Sequence, residues 1–454
     1  MGADLLTITL AAGMGTRMRS SIPKVLHPIG GRSMLAHVLS LANELGNKQN
    51  VVVLGPELEE QGNSVIPDHI PAQTVIQKER LGTAHAVLSA IDPITQHDGN
   101  ILILYGDTPL LSLEALRKLT TRLDEGADIV VLGFNAVDPT GYGRLLESPD
   151  GALVAIREHK DASANEREVT LCNSGVFGFK ADTLPDLLAR INNDNANGEY
   201  YLTDTVELAK SDGLELAIVT CDELEVLGVN SREQLSLAEK IYQRKRRRDI
   251  MDGGATLLDP DSVYFSHDTK IGQDVLIEPN VFFGPGVTVA NNVHIKAFCH
   301  LEQTTIGRGA AIGPYARLRP AAVIGENAKV GNFVEIKKST VEEGAKVSHL
   351  TYIGDARIGK NANIGAGTIT CNYDGFNKHF TDIGENAFIG SNSALVAPIK
   401  IGDGAFVGSG SVVTRNVADN SLAVSRAKQR QIDDWAIKFR RMNASVKAKK
   451  QDIS

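Results

Sequence analysis

From Ile271 to Val413 an aliphatic or aromatic residue returns about every six positions. The beat runs Ile271, Ile277, Phe283, Val289, Ile295 and Leu301, slips by one at Ile306, and resumes through Ile312, Leu318, Ile324, Val330 and Ile336. Further slips give Val341, Val347 and Ile353, then Ile358 and Ile364. After an irregular insert the beat returns at Ile383, Ile389, Leu395, Ile401, Val407 and Val413. Six is not a helical period, and Gly after many of these residues would weaken a helix by about 1 kcal/mol per site. The pattern predicts a parallel β-helix in which each hexad makes one short strand and one corner. Three hexads close a triangular coil, aliphatic side chains stack inside, and coils lie about 4.8 Å apart. Glycines such as Gly307, Gly325 and Gly331 are expected to supply positive φ and close backbone approach at the corners. Small or β-branched residues four places after the beat, such as Val275, Val281 and Ala310, are expected to point inward as well. A sandwich of short strands is the alternative, but sandwiches do not hold a strict six.

At 454 residues the chain exceeds a single core and predicts two or three domains. A formal net charge of -8 argues against nucleic acid or anionic membrane as a partner. Cys172, Cys221, Cys299 and Cys371 show no paired metal spacing, and no signal peptide or long apolar segment stands out. The expectation is a cytoplasmic protein with free thiols.

The other half opens with an apolar run, Leu5 to Leu10, followed at once by Ala11-Ala12-Gly13-Met14-Gly15-Thr16-Arg17-Met18. A buried strand leading into a Gly-rich turn brings backbone N–H groups up to phosphate oxygens, with Arg17 and Lys24 as cationic clamps. Neither the P-loop nor the Gly-x-Gly-x-x-Gly spacing fits. Strands at Val51–Leu54 and Ile101–Tyr105, and helices at Met34–Leu45 and Leu113–Leu123, predict a mostly parallel, helix-covered sheet. Gly106-Asp107 then falls just outside a strand's C-terminal end, where open α/β sheets bind ligands. Asp107 is either an oxygen ligand for Mg²⁺ or a helix cap.

Between the halves, Ser231 to Met251 has a helical pattern, with Ser231 and Gln234 as a capping box. Its basic run, Arg244-Lys245-Arg246-Arg247-Arg248, reads as a solvated face near a helix C-terminus, or alternatively as a nucleic-acid patch. In the repeats, polar side chains gather where the beat fails: Arg317, Arg319, Glu335, Lys337, Lys338, His349, Tyr352 and Asn363. A non-repeating insert, Cys371 to Lys378, follows; a loop that interrupts a solenoid is where binding usually resides.

The string from Leu10 to Met18, with Pro23-Lys24 beyond, resembles the signature of the sugar-1-phosphate nucleotidyltransferases. The hexads resemble the left-handed β-helix of the hexapeptide-repeat acyltransferases. Together, from about Leu5 to Arg426, the chain resembles the bacterial bifunctional enzymes that make UDP-N-acetylglucosamine. The resemblance implies an α/β uridylyltransferase domain with a Rossmann-like mixed sheet over 1–229 and a helical linker over 230–252. An all-β left-handed β-helix N-acetyltransferase domain over 253–426 and a C-terminal helix with a basic tail over 427–454 would follow. Acetyl-coenzyme A would acetylate glucosamine 1-phosphate, and UTP with Mg²⁺ would convert the resulting N-acetylglucosamine 1-phosphate, releasing pyrophosphate.

By motif position, Leu10, Ala11, Ala12, Gly13, Lys24, Gln77, Gly82, Thr83, Tyr105 and Gly106 would hold the nucleotide. Gly143, Glu158 and Asn173 would hold the sugar, and Asp107 and Asn230 the Mg²⁺. Arg17 and Lys24 would stabilise the transferring phosphate; His85 and His159 are read as structural or sugar-contacting. Arg319, Lys337, Tyr352 and Asn363 would bind glucosamine 1-phosphate, with His349 as the base. Ala366, Asn372, Tyr373, Ser391, Ser409 and Arg426 would contact acetyl-coenzyme A. A homotrimer, with acetyltransferase sites between subunits, is implied by the resemblance alone. Lys447, Lys449 and Lys450 in the tail either approach coenzyme A phosphates of a neighbouring subunit or face solvent.

Overall fold

The computed structural model describes residues 4–149 and 151–451, with side chains described up to residue 444. They form two compact units. The first runs to Asp252 and takes in Val263–Thr269 and Phe283–Pro285; the second holds Gly253–Ser262, Lys270–Phe282 and the chain from Gly286 on.

In the first unit, Leu5–Ala11 is buried at every position, as a strand inside a doubly covered sheet must be. It pairs in parallel with Gln49–Leu54 on one side and Asn100–Tyr105 on the other. The sheet order is Leu216–Cys221, Ile129–Asn135, Leu171–Lys180, Asn100–Tyr105, Leu5–Ala11, Gln49–Leu54, Gln73–Ile76. Leu171–Lys180 runs antiparallel to its neighbours, so the sheet is mixed. The chain leaves Leu5–Ala11 on one side and returns on the other, which opens a crevice beyond the C-terminal ends of the central strands. The helix Met34–Leu45 starts at Ser33, whose hydroxyl accepts from the Ala36 N–H at 3.3 Å, and stops at Gly46 in left-handed backbone. Leu113–Asp124 is capped the same way by Ser112. Asp107 is therefore not that helix's cap.

The connecting helix, Arg232–Asp252, departs from the expected solvated spacer. Gln243 and Arg247 are buried. The Gln243 amide donates to the Phe265 carbonyl at 2.7 Å and accepts from the Phe265 N–H at 2.9 Å. Arg246 donates to the Thr269 carbonyl. Part of the basic run thus satisfies backbone groups of the Val263–Thr269 segment, while Arg244, Lys245 and Arg248 stay exposed. Charge alone could not tell these residues apart.

In the second unit the hexads form three parallel sheets wound into a β-helix. One sheet stacks Ile277, Ile295, Ile312, Val330, Val347, Ile364, Ile389 and Val407 in register. The slip at Ile306 shortens a corner and leaves Ile295 paired with Ile312. The expected positive φ is found at some corner glycines but not at Gly307, Gly325 or Gly331. Positive φ falls three places after the beat, at Asp274, Asn280, Asn292, Phe298, Tyr315, Asn327 and Phe333 and equally at Gly286, Gly309, Gly344 and Gly367. The glycines that directly follow the beat, Gly313 apart, are needed for close approach instead. A Cβ on Gly331 would lie 1.8 Å from the Ser348 carbonyl oxygen, and one on Gly307 would lie 2.8 Å from the Glu326 nitrogen. A helix, Trp435–Gln451, ends the described chain. The side chains of Lys447, Lys449 and Lys450 lie outside the described ones.

Candidate active sites

The first site is built where Leu5–Ala11 gives way to the Gly-rich turn. Gly15 has φ +61°, and a Cβ there would fall 2.6 Å from the Lys24 Cβ, so the turn lies directly against the Lys24 segment. Lys24 is buried, on a short 3-10 turn behind Pro23. Its ammonium donates to Asp107 Oδ2 and, at 2.8 Å, to Asn230 Oδ1. The Asp107 carbonyl accepts from the Val229 N–H at 2.9 Å, which brings Asn230 alongside. Gln234 fixes Asn230 in turn, accepting from its N–H at 2.8 Å while its own N–H donates to Ser231 Oγ at 3.2 Å. The capping box expected between Ser231 and Gln234 therefore closes one residue earlier, on Asn230.

A cavity of about 260 Å³ opens at this point, lined by Leu10, Ala11, Ala12, Gly13, Lys24, Gln77, Gly82, Thr83, Tyr105 and Asp107. Gly106 is buried behind it, its N–H donating to the Leu10 carbonyl at 2.9 Å. Arg17 is exposed outside it and makes no hydrogen bond or ion pair among the described residues.

The remaining sugar candidates are not in this lining. Glu158 lines a separate cavity of about 390 Å³ with Arg157, Asp161, Tyr201, Asp204 and Glu207. The Thr203 hydroxyl donates to Glu158 Oε1 at 3.2 Å. Burial holds the Glu158 carboxyl above its usual range, and burial with Glu158 and Glu207 nearby pushes Asp204 up to about 6. Tyr105 lines the first cavity, and burial, then Asp107 and Glu158, hold its phenol well above the ordinary value. The Asn173 N–H donates to the Gly143 carbonyl at 2.8 Å, and Asn173 Oδ1 accepts from the Gly175 N–H at 2.9 Å. His85 lies 3.3 Å from Gln77 and His159 lies 3.3 Å from Arg144, which suits structural roles.

Asp107 and Asn230 offer two oxygens to a single cationic position, now filled by the Lys24 ammonium. That donor set suits a hard divalent cation whose other ligands are water and phosphate oxygens. Among the described residues no group of three or more His, Cys, Asp or Glu could hold a metal ion.

On the β-helix the candidates fall into columns one coil apart. Arg319 donates to Glu335 Oε1 at 2.8 Å, and Arg317 lies 3.9 Å from the same carboxylate, so Glu335 faces both guanidinium groups. Lys337 stands one coil on; Lys378 beside it, then Arg319, hold its ammonium below the usual range. Tyr352 pairs with Glu335, and Asn363 pairs with Lys346 on the neighbouring sheet. His349 ends the strand Lys346–His349, exposed, its Nδ1 against Asn332 Oδ1. Ala366, Ser391 and Ser409 follow one another up a single corner: the Gly365 N–H donates to the Ile389 carbonyl and the Gly390 N–H to the Val407 carbonyl, both at 2.8 Å. Arg426 closes the column, donating to the Ser409 carbonyl at 2.7 Å. Asn372 is buried against Asp355, and the Tyr373 hydroxyl donates to the Gly375 carbonyl at 2.6 Å.

Sequence reasoning missed several of these neighbours. Arg80 lines the first cavity, its Nε donating to the Ala12 carbonyl at 2.6 Å and its Nη2 to Glu57. Only its place just before Leu81-Gly82-Thr83 could have pointed to it. Lys378 sits in the insert already singled out, but its approach to Lys337 depends on how the loop folds back.

Three family profiles match the chain: a MobA-like NTP transferase domain over residues 7–173, a GMPPB C-terminal domain over 301–373, and the bacterial transferase hexapeptide over 268–303 and 380–415. The hexapeptide match identifies the coil as the left-handed β-helix. Over 450 residues the chain is 54% identical to a protein of Paramagnetospirillum magneticum named Bifunctional protein GlmU, covering 99% of each. Proteins of the same name from Nitrobacter hamburgensis and Azorhizobium caulinodans are each 54% identical, covering 99% of each chain for the first, and 96% of this chain and 97% of the relative for the second.

Proposed function

The chain belongs to the bifunctional GlmU family, a uridylyltransferase and an acetyltransferase in one polypeptide, and on that premise we propose which residues carry each reaction. The uridylyltransferase site is the crevice around Lys24, Asp107 and Asn230. UTP enters with its uracil toward Gln77, Gly82 and Thr83 and its phosphates on the N–H groups of the Ala12–Gly15 turn. N-acetylglucosamine 1-phosphate lies toward Gly143, Glu158 and Asn173. Its phosphate oxygen forms the new bond to the α-phosphorus as the bond to pyrophosphate breaks, and no proton has to move. The chain's work is alignment and charge neutralisation, by Lys24 and Arg17. Asp107 and Asn230 would hold Mg²⁺, which when bound neutralises triphosphate oxygens.

The acetyltransferase site is the exposed face around His349. Arg319, Lys337 and Lys378 present cationic groups to the phosphate of glucosamine 1-phosphate, with Tyr352 and Asn363 on the sugar. The amine nitrogen bonds to the acetyl carbon, the carbon–sulfur bond breaks, His349 takes the amine proton, and coenzyme A leaves as the thiolate. Ala366, Asn372, Tyr373, Ser391, Ser409 and Arg426 form the coenzyme A track. A homotrimer is supported by the corner next to this face. Phe298, Tyr315 and Phe333 stack there at 4.8 and 5.2 Å, each about half exposed, with Leu350 beyond. Such a ladder calls for cover, and a second copy over it would close over His349. Four free cysteines suit a reducing cytoplasm, and no described helix is long and apolar enough to cross a membrane.

The single observation that carries the reading is the Lys24–Asp107–Asn230 cluster, in which segments up to 206 residues apart meet at the mouth of the crevice. The test follows free thiol and pyrophosphate together from glucosamine 1-phosphate, acetyl-coenzyme A, UTP and Mg²⁺. His349→Ala should abolish thiol release while still converting supplied N-acetylglucosamine 1-phosphate. Asp107→Ala should do the reverse. Pyrophosphate without thiol from the wild type would reduce the β-helix to a scaffold.

A further inference from the structure

We infer that Asn332 is a positioning residue that fixes the tautomer of His349. The inference rests on the reading of His349 as the base and adds what makes it one. Parallel pairing sets Asn332 directly against His349 one coil away, and Asn332 Oδ1 faces His349 Nδ1. An amide oxygen only accepts, so Nδ1 must carry the ring proton and Nε2 keeps its lone pair. Were the amide NH₂ turned to the ring, the proton would move to Nε2 and the outward nitrogen could not take a proton.

The backbone holds both side chains in place. The Leu350 N–H donates to the Asn332 carbonyl at 3.0 Å, and the His349 carbonyl accepts from Thr351 Oγ1 at 2.6 Å and from the Gly367 N–H at 3.2 Å. Gly331, just before Asn332, has no room for a Cβ beside Ser348. Close coil stacking is therefore what lets the two side chains meet. The ionisable groups on the flanking strands are Lys329, Lys346, Glu335, Lys337 and Tyr352. A neutral amide suits the task. A carboxylate in its place would fix the same tautomer but would also stabilise the imidazolium, leaving the base protonated at neutral pH.

The experiment uses the full-length chain with Asn332→Ala, Asn332→Asp and His349→Ala. Acetyl transfer is followed by thiol release from about pH 5 to 9, and uridylyl transfer is measured on the same samples. Asn332→Ala should lower kcat for acetyl transfer by about tenfold or more with KM little changed. Asn332→Asp should raise the acidic-limb midpoint of kcat/KM by about one unit or more. Uridylyl transfer should be unchanged in both. Wild-type kcat in Asn332→Ala, or an unshifted acidic limb in a folded Asn332→Asp, overturns the inference. Thiol release that survives His349→Ala sinks the reading of the base itself, which is a separate failure.

Discussion

The two units place their chemistry in opposite ways. In the first, the key side chains come from distant positions, meet beyond the ends of central strands, and bury one ion pair, Lys24 with Asp107. In the second, the key side chains stand on the outside of a regular coil, in columns one rung apart, and all but Asn372 stay at least partly open to solvent. A crevice in a doubly wound sheet is enclosed by its own helices and loops, so one chain can complete it. A solenoid fills its interior with its own repeats and has only its outer faces to offer. Its site gains geometric order from the stacking, and the coil itself does not enclose it. Function in the first unit depends on long-range tertiary contacts, and in the second on rung spacing.

The strongest test of that difference is Gly331→Val. The added side chain cannot sit beside the Ser348 carbonyl, so the coils carrying Asn332 and His349 must separate, at ~4 kcal/mol or more. Acetyl transfer should be lost and hydrogen exchange should rise in these coils, while uridylyl transfer persists. Loss of both activities together would show that the units do not fail separately.

Acid should strike the first unit harder. Burial, with Arg32 and His267 nearby, pushes the His37 imidazole from 6.5 down to about 4, against a hydrogen bond donated to the Ile29 carbonyl that pulls the other way. Stability from this depressed base is fully present above about pH 6.5 and is lost as pH falls toward 4, by up to about 3 kcal/mol. Calorimetry should show the first unit's transition dropping across that window, and His37→Gln should flatten the drop.

A smaller effect of opposite sign is expected at Asp204. Its pKa is raised from 3.8 to about 6, so its contribution is full below 3.8 and is lost as pH rises through about 6. Asp204→Asn should therefore stabilise the first unit by about 1 kcal/mol above pH 6, a figure reduced for solvent screening, with no gain below about pH 4. The second unit's transition should not move in either series.

Much of this was legible beforehand, for identifiable reasons. The six-residue beat has no helical or sandwich counterpart, and the apolar run before the Gly-rich turn can only be a covered strand. The helices expected over Met34–Leu45 and Leu113–Leu123 lie within a residue of those bounds. What was misread or missed shares one cause. The corner glycines, the Gln234 cap, Arg246, Arg247, Arg80 and Lys378 all depend on what lies across from them, and local spacing does not encode that. Tyr105 likewise reads as one more strand residue until Asp107 and Glu158 are seen on either side of its phenol.

By itself, then, the sequence determined period, strand and helix type, the Gly-rich turn and the residue kinds available for chemistry, because these follow from backbone preference and neighbours along the chain. Only the tertiary structure decided that Lys24 lies between Asp107 and Asn230, that Glu335 faces two arginines, and that His349 meets an amide oxygen. Those are meetings across tens to hundreds of residues, fixed by sheet order in one unit and by coil stacking in the other.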